Sequence, residues 1–362
     1  MQDCKFVKIT GKTALVTFTQ RLPPLPDLRK AVLQLVQQVP LGQTTTYGDL
    51  SRALGDQQAR SARWIGEFLK DHTHNDECSC HRVVRANGEI GHYVTGKTDE
   101  KRHRLQREGV EVSDAGVVET DSRYREFESE SPLRELQKLQ HGFAESARRS
   151  MSAERSTTIP ADAIVAGVDV AYPEPNVGVG AYVEVDPLDQ SVRFQLTIRV
   201  PVSFPYLPGY LTFRELPVLL PLLDEVSKSR PLPKIIFVDG NGILHPLSAG
   251  IATALGAMTG LPTIGVAKSL LCGSFQRGEM QRGETRPVHV ADETRGFAFQ
   301  STDRSSPIFV SPGYGISCDD AIAWTRRLMG KTRLPVPTHL ADRLTRNPKL
   351  ADQTLRQTGA TS

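Results

Sequence analysis

Residues 163–171 read AIVAGVDVA, an apolar run of strand length interrupted by one carboxylate, Asp169. A near-continuous apolar run is what a strand covered on both faces requires. Burying a carboxylate inside it is costly unless a cation or a hydrogen-bond donor compensates. Two further strand-like runs follow, 177–185 (VGVGAYVEV) and 192–200 (VRFQLTIRV), separated by Asp- and Pro-containing breaks that predict a meander. Beyond them Thr212–Val226 reads as a helix, Lys234–Val238 as a buried strand and Leu247–Thr259 as a helix. Thr263–Ala267 reads as a strand and Ser317–Met329 as a helix. Three consecutive strands followed by alternating helices and strands predict a mixed α/β sheet.

Upstream, the apolar period is helical. Ala31, Val32, Leu33, Leu35 and Val36 make a stripe wide enough to bury one helix face, ending at Pro40-Leu41-Gly42. A Thr run capable of capping precedes Tyr47–Leu54, and Ala59–Lys70 is a third helix. Short helices joined by tight turns, the third of them basic, suit a helix-turn-helix or winged-helix module. Between the two textures, residues 113–130 carry six Asp/Glu against two Lys/Arg without helical periodicity, and read as a linker. The expected division is an N-terminal tail (1–26), a helical domain (27–112), an acidic linker (113–132), an α/β domain (133–346) and a C-terminal tail (347–362).

A chain of 362 residues exceeds what one ordinary core needs, which agrees with two domains. Charged residues at 23% and hydrophobic ones at 39% exclude a largely disordered chain. No apolar run approaches the roughly 18 residues of a membrane span, and the N-terminus lacks the apolar core of a secretory signal. A cytoplasmic monomer that makes no membrane contact is expected. Five scattered cysteines, Cys4, Cys78, Cys80, Cys272 and Cys318, form no disulfide framework, and a net charge of +3 allows an acidic partner without demanding one.

Cys80-His81-Arg82-Val83-Val84 is the first chemical constellation. A thiol is a useful nucleophile only as thiolate, so an adjacent His and a carboxylate that orients it, for which Glu108 is available, make a plausible relay. Free cysteines are commonly inert core residues, and His72, His74, Cys78, Cys80 and His81 also contain enough soft ligands for zinc. Cys-x-Cys-His is not a usual structural zinc spacing, so zinc at His72, His74 and Cys78 is disfavoured. Residue types alone leave nucleophile, zinc ligand and inert thiol open.

The stretch SCHRVVRANGEIGHY resembles the active-site motif of the O6-alkylguanine-DNA alkyltransferases. GQTTTYGDLSRAL and SARWIGEFL are similar to that family's DNA-binding helices, and KRHRLQREG to the helix closing its site; the likeness covers residues 27–112. It implies transfer of an alkyl group from a flipped-out guanine to Cys80, with His81 and Glu108 activating the thiol. Tyr47 would rotate the phosphate, Arg63 would fill the vacated stack, and Arg82 would join the DNA-binding set. Extruding the base makes physical sense, because its O6 cannot otherwise meet a thiolate. Here Ser79 replaces the family's usual Pro, and His72 stands where an Asn normally orients the site.

The second constellation is acidic. Asp169 lies in a strand, Asp239 ends another (IIFVDG), and Glu215 begins a helix (LTFRELP). Two acids on neighbouring strands and one on a helix can converge on a hard cation such as Mg2+, with Mn2+ as a substitute, for phosphoryl chemistry. Singly, Asp239 also suits a turn and Glu215 a solvated helix face. The blocks GVDVAY, VPVSFPYLPGYLTFRE, IIFVDGNGILHPLSAGIATALG, GVAKSLL and SPGYGIS resemble endonuclease V in order over residues 133–346. The resemblance implies a ribonuclease H-like fold that nicks the second phosphodiester 3′ of deoxyinosine, with Asp169, Glu215 and Asp239 binding Mg2+. Lys268 would neutralise phosphate charge. Pro205-Tyr206-Leu207-Pro208 matches the family's strand-separating wedge, where two prolines stiffen a turn carrying an aromatic. Gly240, Gly242, His245 and Gly250 match the wall of its base pocket, with missing side chains admitting the base edge to the backbone. Tyr314 occupies the position of a usual His, so restoring His there is expected to raise the rate or change its pH dependence. Leu247-Ser248 replaces residues that are commonly basic.

Together these features predict a bifunctional DNA-repair protein acting on double-stranded DNA with deaminated or O6-alkylated bases. Single-stranded DNA and inosine-containing RNA are further substrate possibilities. A nuclease with a non-transferring sensor module and a non-catalytic lesion binder are the rival readings.

Overall fold

Asp27 starts the first helix by accepting the backbone N–H of Lys30, and the predicted stripe is buried at Leu28, Val32, Leu35 and Val36. In this computed structural model, which describes residues 17–75, 77–119, 123–152, 159–303 and 305–347, that helix is α1 (Leu28–Gln37). After β1 (Thr45–Thr46), Thr46 and Asp49 form a reciprocal capping box that opens α2 (Tyr47–Ala53). Next come α3 (Ala62–Lys70), a single 3-10 turn over Ser79–Arg82, β2 (Val83–Val84) parallel to β1, and α4 (Thr98–Arg107). Helix α5 (Pro132–Ser150) leads into the second unit.

The second unit is an eight-stranded mixed sheet. Its elements are β3 (Val165–Glu174), β4 (Val177–Val185), β5 (Val192–Pro201), α6 (Leu211–Ser229), β6 (Ile235–Asp239), α7 (Ile251–Thr259) and β7 (Thr263–Ala267). They continue as β8 (Thr285–Val290), β9 (Glu293–Phe299), β10 (Ile308–Tyr314), α8 (Cys318–Arg327) and α9 (Val336–Arg346). Strand order is β5-β4-β3-β6-β7-β10-β9-β8, with β3, β6 and β7 parallel and the flanking meanders antiparallel. The expected mixed α/β architecture is therefore present. β3 and β6 run side by side with Val168 opposite Val238, which brings Asp169 and Asp239 level at adjacent strand ends.

Helix α9 can lie against β3 only because residue 167 is glycine. A Cβ there would stand 2.2 Å from the carbonyl carbon of Pro337. Helix α7 starts at Ile251 rather than Leu247, because Ser248 has a left-handed φ of 52° that a helix cannot continue through. Strands β8, β9 and β10 and helix α9 lay outside the sequence reading. No described helix is long and apolar enough to cross a membrane.

Two expected boundary segments make contacts with the folded units. The acidic stretch is not a free linker: Val118 is buried against Val84, Ile90 and Leu105, and Tyr124 donates its N–H to the carbonyl of Thr44. The described end of the N-terminal tail is also anchored, since the N–H groups of Phe18 and Thr19 both donate to Asp224 of α6. Leu28 and Val32 share a core with Leu207, Tyr210 and Phe213, so the helical unit packs against the α6 side of the second unit.

Candidate active sites

The acidic site is assembled by the ends of β3 and β6 and by α9. Carboxylate oxygens of Asp169, Asp239 and Asp342 all lie within 4.8 Å of one another. Burial and the charges of Asp239 and Asp342 push the Asp169 carboxyl up to about 6, although Thr345 Oγ1 donates to its Oδ2 at 2.6 Å. Burial likewise raises Asp239, against the pull of Lys268, whose Nζ donates to Asp239 Oδ2 at 2.6 Å and to Asp342 Oδ1 at 2.9 Å. Glu215, in the first turns of α6, is held well above its usual range by burial and then by the charges of Asp169 and Asp239. It faces the aspartates without joining their tight group. Four acids have three cationic neighbours, Lys268 and Arg346 at the aspartates and Arg214 near Glu215. The donor set, all hard oxygens with surplus negative charge, fits a divalent cation such as Mg2+.

Asp342 was not singled out in the sequence. It sits among the polar residues of a short amphipathic helix, and only its place three residues before Thr345 on the face that meets β3 brings it to Asp169. Tyr314 is the converse case. The register pairs Tyr314 with Thr263 and Thr263 with Ile236, whereas Asp239 pairs with Val266. Tyr314 therefore lies two strands across and three residues, about 10 Å, down from Asp239. A Cβ on Gly256 would sit 2.2 Å from Tyr314 Cβ, so the ring packs on α7 rather than joining the acids. The expectation of a catalytic Tyr314 is corrected on this geometry.

The Pro205–Pro208 loop is held from both sides. Pro205 and Leu207 are buried while Tyr206 is 63% exposed. Arg214 donates to the carbonyls of Phe204 and Pro175 and stacks on Tyr172, and Gln140 of α5 donates to the carbonyl of Gly209. From the helical unit, Arg29 donates to the carbonyl of Ser203. Pro208 is exposed beside Tyr206.

The glycines after Asp239 have a packing role of their own. A Cβ on Gly242 would meet the Pro312 carbonyl at 2.1 Å, and one on Gly250 the Asn241 carbonyl at 2.1 Å. Gly240 has φ 154° and faces Ile251. Their missing side chains let this loop close onto β10 and α7, whatever the base requires. His245 is buried, its Nδ1 accepts the Leu247 N–H, and burial followed by the nearby Arg60 charge pulls it down to about 4. It is thus neutral near pH 7, with its proton on Nε2. A cavity of about 1070 Å3 beside it is lined by Leu247, Ser248, Arg148 and Arg295. Arg295 Nη1 donates to Ser248 Oγ at 2.8 Å, so a strand remote in sequence brings basic charge to the position where Leu247-Ser248 lacks it.

In the helical unit the 3-10 turn presents Cys80, which is 5% exposed. His81 Nε2 donates to Glu108 Oε1 at 2.7 Å, and its Nδ1 is buried without a partner among the described residues. Burial holds His81 below its usual range; burial opposes ionisation of Glu108, but hydrogen bonds from Arg82 and His81 outweigh it. Arg82, expected on DNA, is instead committed internally: a two-pronged bond to Glu108 and one to the Val39 carbonyl use its guanidinium. Ser79 Oγ also accepts from it at 3.1 Å. Tyr47 packs on the Gly66 face of α3, near enough to Cys80 to feel its charge, and Arg63 is exposed on α3.

The sulfur of Cys80 has His74 Nδ1 at 3.5 Å, while Cys78 Sγ has His72 Nε2 at 3.2 Å. Hydrogen bonding between the two thiols pushes Cys80 up and Cys78 down. The sequence also missed Lys101. It is buried, donates to the carbonyls of Val83 and Ile90, and is lowered to about 8 by burial. A basic residue in a charged helix gives no sign of pointing inward.

A profile of the family described as Endonuclease V matches residues 146–343, and one described as 6-O-methylguanine DNA methyltransferase, DNA binding domain, matches residues 27–110. The chain is 33% identical over 309 residues to the Bifunctional methyltransferase/endonuclease of Picrophilus torridus, covering 85% of this chain and 92% of that protein. Endonuclease V of Xanthomonas campestris pv. campestris (strain B100) is 43% identical over 193 residues, 52% of this chain and 80% of the relative. The crystal structure of Endonuclease V from Streptomyces avermitilis superposes with a TM-score of 0.53 at 36% identity, over 62% of this chain and 95% of that one.

Proposed function

This chain belongs to the endonuclease V family, as a dual DNA-repair enzyme joined to a methylguanine-methyltransferase-type DNA-binding domain, and we propose that it nicks DNA beside deaminated bases while Cys80 accepts alkyl groups from O6-alkylguanine. The observation that carries the nuclease reading is the convergence of Asp169, Asp239 and Asp342, with Glu215 opposite, in a site with more acids than bases. The family is metal-dependent, and this donor set fits Mg2+ or Mn2+. A divalent cation bound there would neutralise the phosphate and acidify a water. The protein's own part is positioning. Thr345 fixes the rotamer of Asp169, and Lys268 is free to exchange its carboxylate partners for a phosphate oxygen.

Tyr206, on a loop braced by Arg214, Gln140 and Arg29, suits insertion into a base stack. His245, neutral with an Nε2 proton, adjoins Pro246 and Leu247 of the cavity wall and is proposed to donate to a hypoxanthine acceptor there. The cut is proposed at the second phosphodiester 3′ of deoxyinosine. In the alkyl transfer the Cys80 sulfur forms the S–C bond as the C–O6 bond breaks, its electron pair staying on guanine oxygen. The thiol proton ends on the released guanine. His81, its Nε2 anchored on Glu108, keeps a bare Nδ1 lone pair suited to carrying that proton. Tyr47 and Arg63 remain the groups proposed to handle the phosphate and the vacated stack.

The test uses an end-labelled duplex with one deoxyinosine, with Mg2+ or EDTA, beside Asp169→Ala. A cation-dependent cut absent from the variant supports the nuclease; binding without cutting would replace it with a lesion sensor. An intact-mass measurement after incubation with O6-methylguanine DNA, localising one added methylene to Cys80, tests the transfer separately.

A further inference from the structure

We propose that His72, His74, Cys78 and Cys80 hold a zinc ion, in a site distinct from the nuclease carboxylates. One nitrogen from each histidine and the two sulfurs all lie within 4.8 Å of one another. The measured edges, 3.2 Å from His72 Nε2 to Cys78 Sγ and 3.5 Å from His74 Nδ1 to Cys80 Sγ, approach the edge of about 3.5 Å expected for a tetrahedron with Zn–N near 2.0 Å and Zn–S near 2.3 Å. Two sulfurs and two imidazoles are the soft, tetrahedral donor set that selects zinc over the hard cations suited to carboxylates.

The outer shell is equally specific. His72 Nδ1 donates to the Leu69 carbonyl at 3.1 Å, which leaves Nε2 as a bare lone pair facing Cys78. His74 Nε2 lies 3.2 Å from the Tyr93 hydroxyl, leaving Nδ1 toward Cys80. Metal-binding histidines commonly fix their second nitrogen in this manner, on a carbonyl or another oxygen. The rings also stack edge to face along the series His72, His74, Tyr93, with centroids 5.7 and 5.5 Å apart. The spacing that disfavoured zinc in the sequence, Cys-x-Cys, is completed by His-x-His from the chain leaving α3, so each pair supplies two adjacent corners.

The metal site stands without the transfer reading, but its consequence for Cys80 rests on it. A zinc-bound Cys80 is already a thiolate, its proton having left to solvent on binding. Attack then forms the S–C bond, breaks C–O6, and guanine takes a proton from solvent in place of the thiol proton that His81 would carry in the metal-free site. The thioether produced is a poorer ligand, so each repair event weakens the site.

The test is metal analysis of the full chain, expressed without a histidine tag and purified under reducing conditions, beside Cys78→Ser and His74→Gln. About one zinc per chain is expected after dialysis, falling several-fold in either variant while deoxyinosine nicking persists. Cobalt substitution should give tetrahedral visible bands and sulfur-to-cobalt charge-transfer absorption, which carboxylate ligands cannot produce. Less than about a tenth of an equivalent of zinc in wild type grown with added zinc, or zinc retained in both variants, would overturn the site. Zinc present without methylation of Cys80 would leave the site standing and remove the transfer reading alone.

Discussion

The hydroxyl of Thr345 donates to Oδ2 of Asp169 at 2.6 Å, joining residues 176 positions apart. That bond holds α9 against β3 beside Asp169 and with it Asp342, whose carboxylate completes the acidic group and shares Lys268 with Asp239. The last described helix thus contributes to the acidic cluster proposed as the nuclease site.

Asp342→Asn should lower single-turnover nicking of deoxyinosine DNA by about 10²-fold or more with little effect on DNA affinity, since it removes charge at the reacting phosphate. A rate within about threefold of wild type would show that Asp342 only tethers Lys268 and Arg346.

Gly167→Ala should act on the same site from beneath. The new Cβ meets the Pro337 carbonyl carbon at 2.2 Å, so α9 must shift, at a cost of about 1–3 kcal/mol and with loss of nicking. Thermal unfolding and nicking rate together check this; unchanged values in both would mean that α9 is not fixed by this contact.

The pH dependence of stability has a defined sign. The folded Asp169 carboxyl, at about 6, lies above its ordinary 3.8, so its contribution is fully present below about 3.8 and is lost as pH rises through about 6. Metal-free Asp169→Asn should therefore melt above wild type at pH 8 and match it near pH 4. The gain is at most about 3 kcal/mol, reduced by the water reaching this half-buried group. Adding Mg2+ should stabilise wild type and leave the variant nearly unmoved. A variant less stable than wild type at pH 8 without cation would contradict the repulsion among these acids.

Tyr314→His should not raise the nicking rate at any pH between 6 and 9, because the strand register keeps residue 314 about 10 Å down the sheet from Asp239. A faster variant with a new pH-rate limb near 6.5 would show that the side chain reaches the acids after all.

Tyr206→Ala should reduce nicking of duplex substrate by about 10-fold or more and leave thermal stability within about 0.5 kcal/mol, since the ring is exposed and Leu207 carries the packing. Comparing duplex with single-stranded deoxyinosine substrate isolates the wedge; equal losses on both would assign Tyr206 to general binding.

Local pattern determined much of this protein. The helical stripe of α1, the apolar runs of β3, β6 and β7 and the Thr46–Asp49 cap follow from side-chain period and from backbone groups needing partners, which act within a few residues. Asp169 was conspicuous because a carboxylate in a buried run needs compensation wherever the chain goes. Tertiary packing alone decided the rest. It brought Asp342 to Asp169 and kept Tyr314 away, drew Arg82 inward to Glu108, and docked the acidic stretch through Val118. It also closed His72 and His74 onto Cys78 and Cys80, whose spacing had argued against a metal. The reason is physical: a short segment fixes which side chains share a face, but which faces meet depends on register and helix docking. Those are settled by contacts such as Gly167 with Pro337, made between residues far apart in the chain.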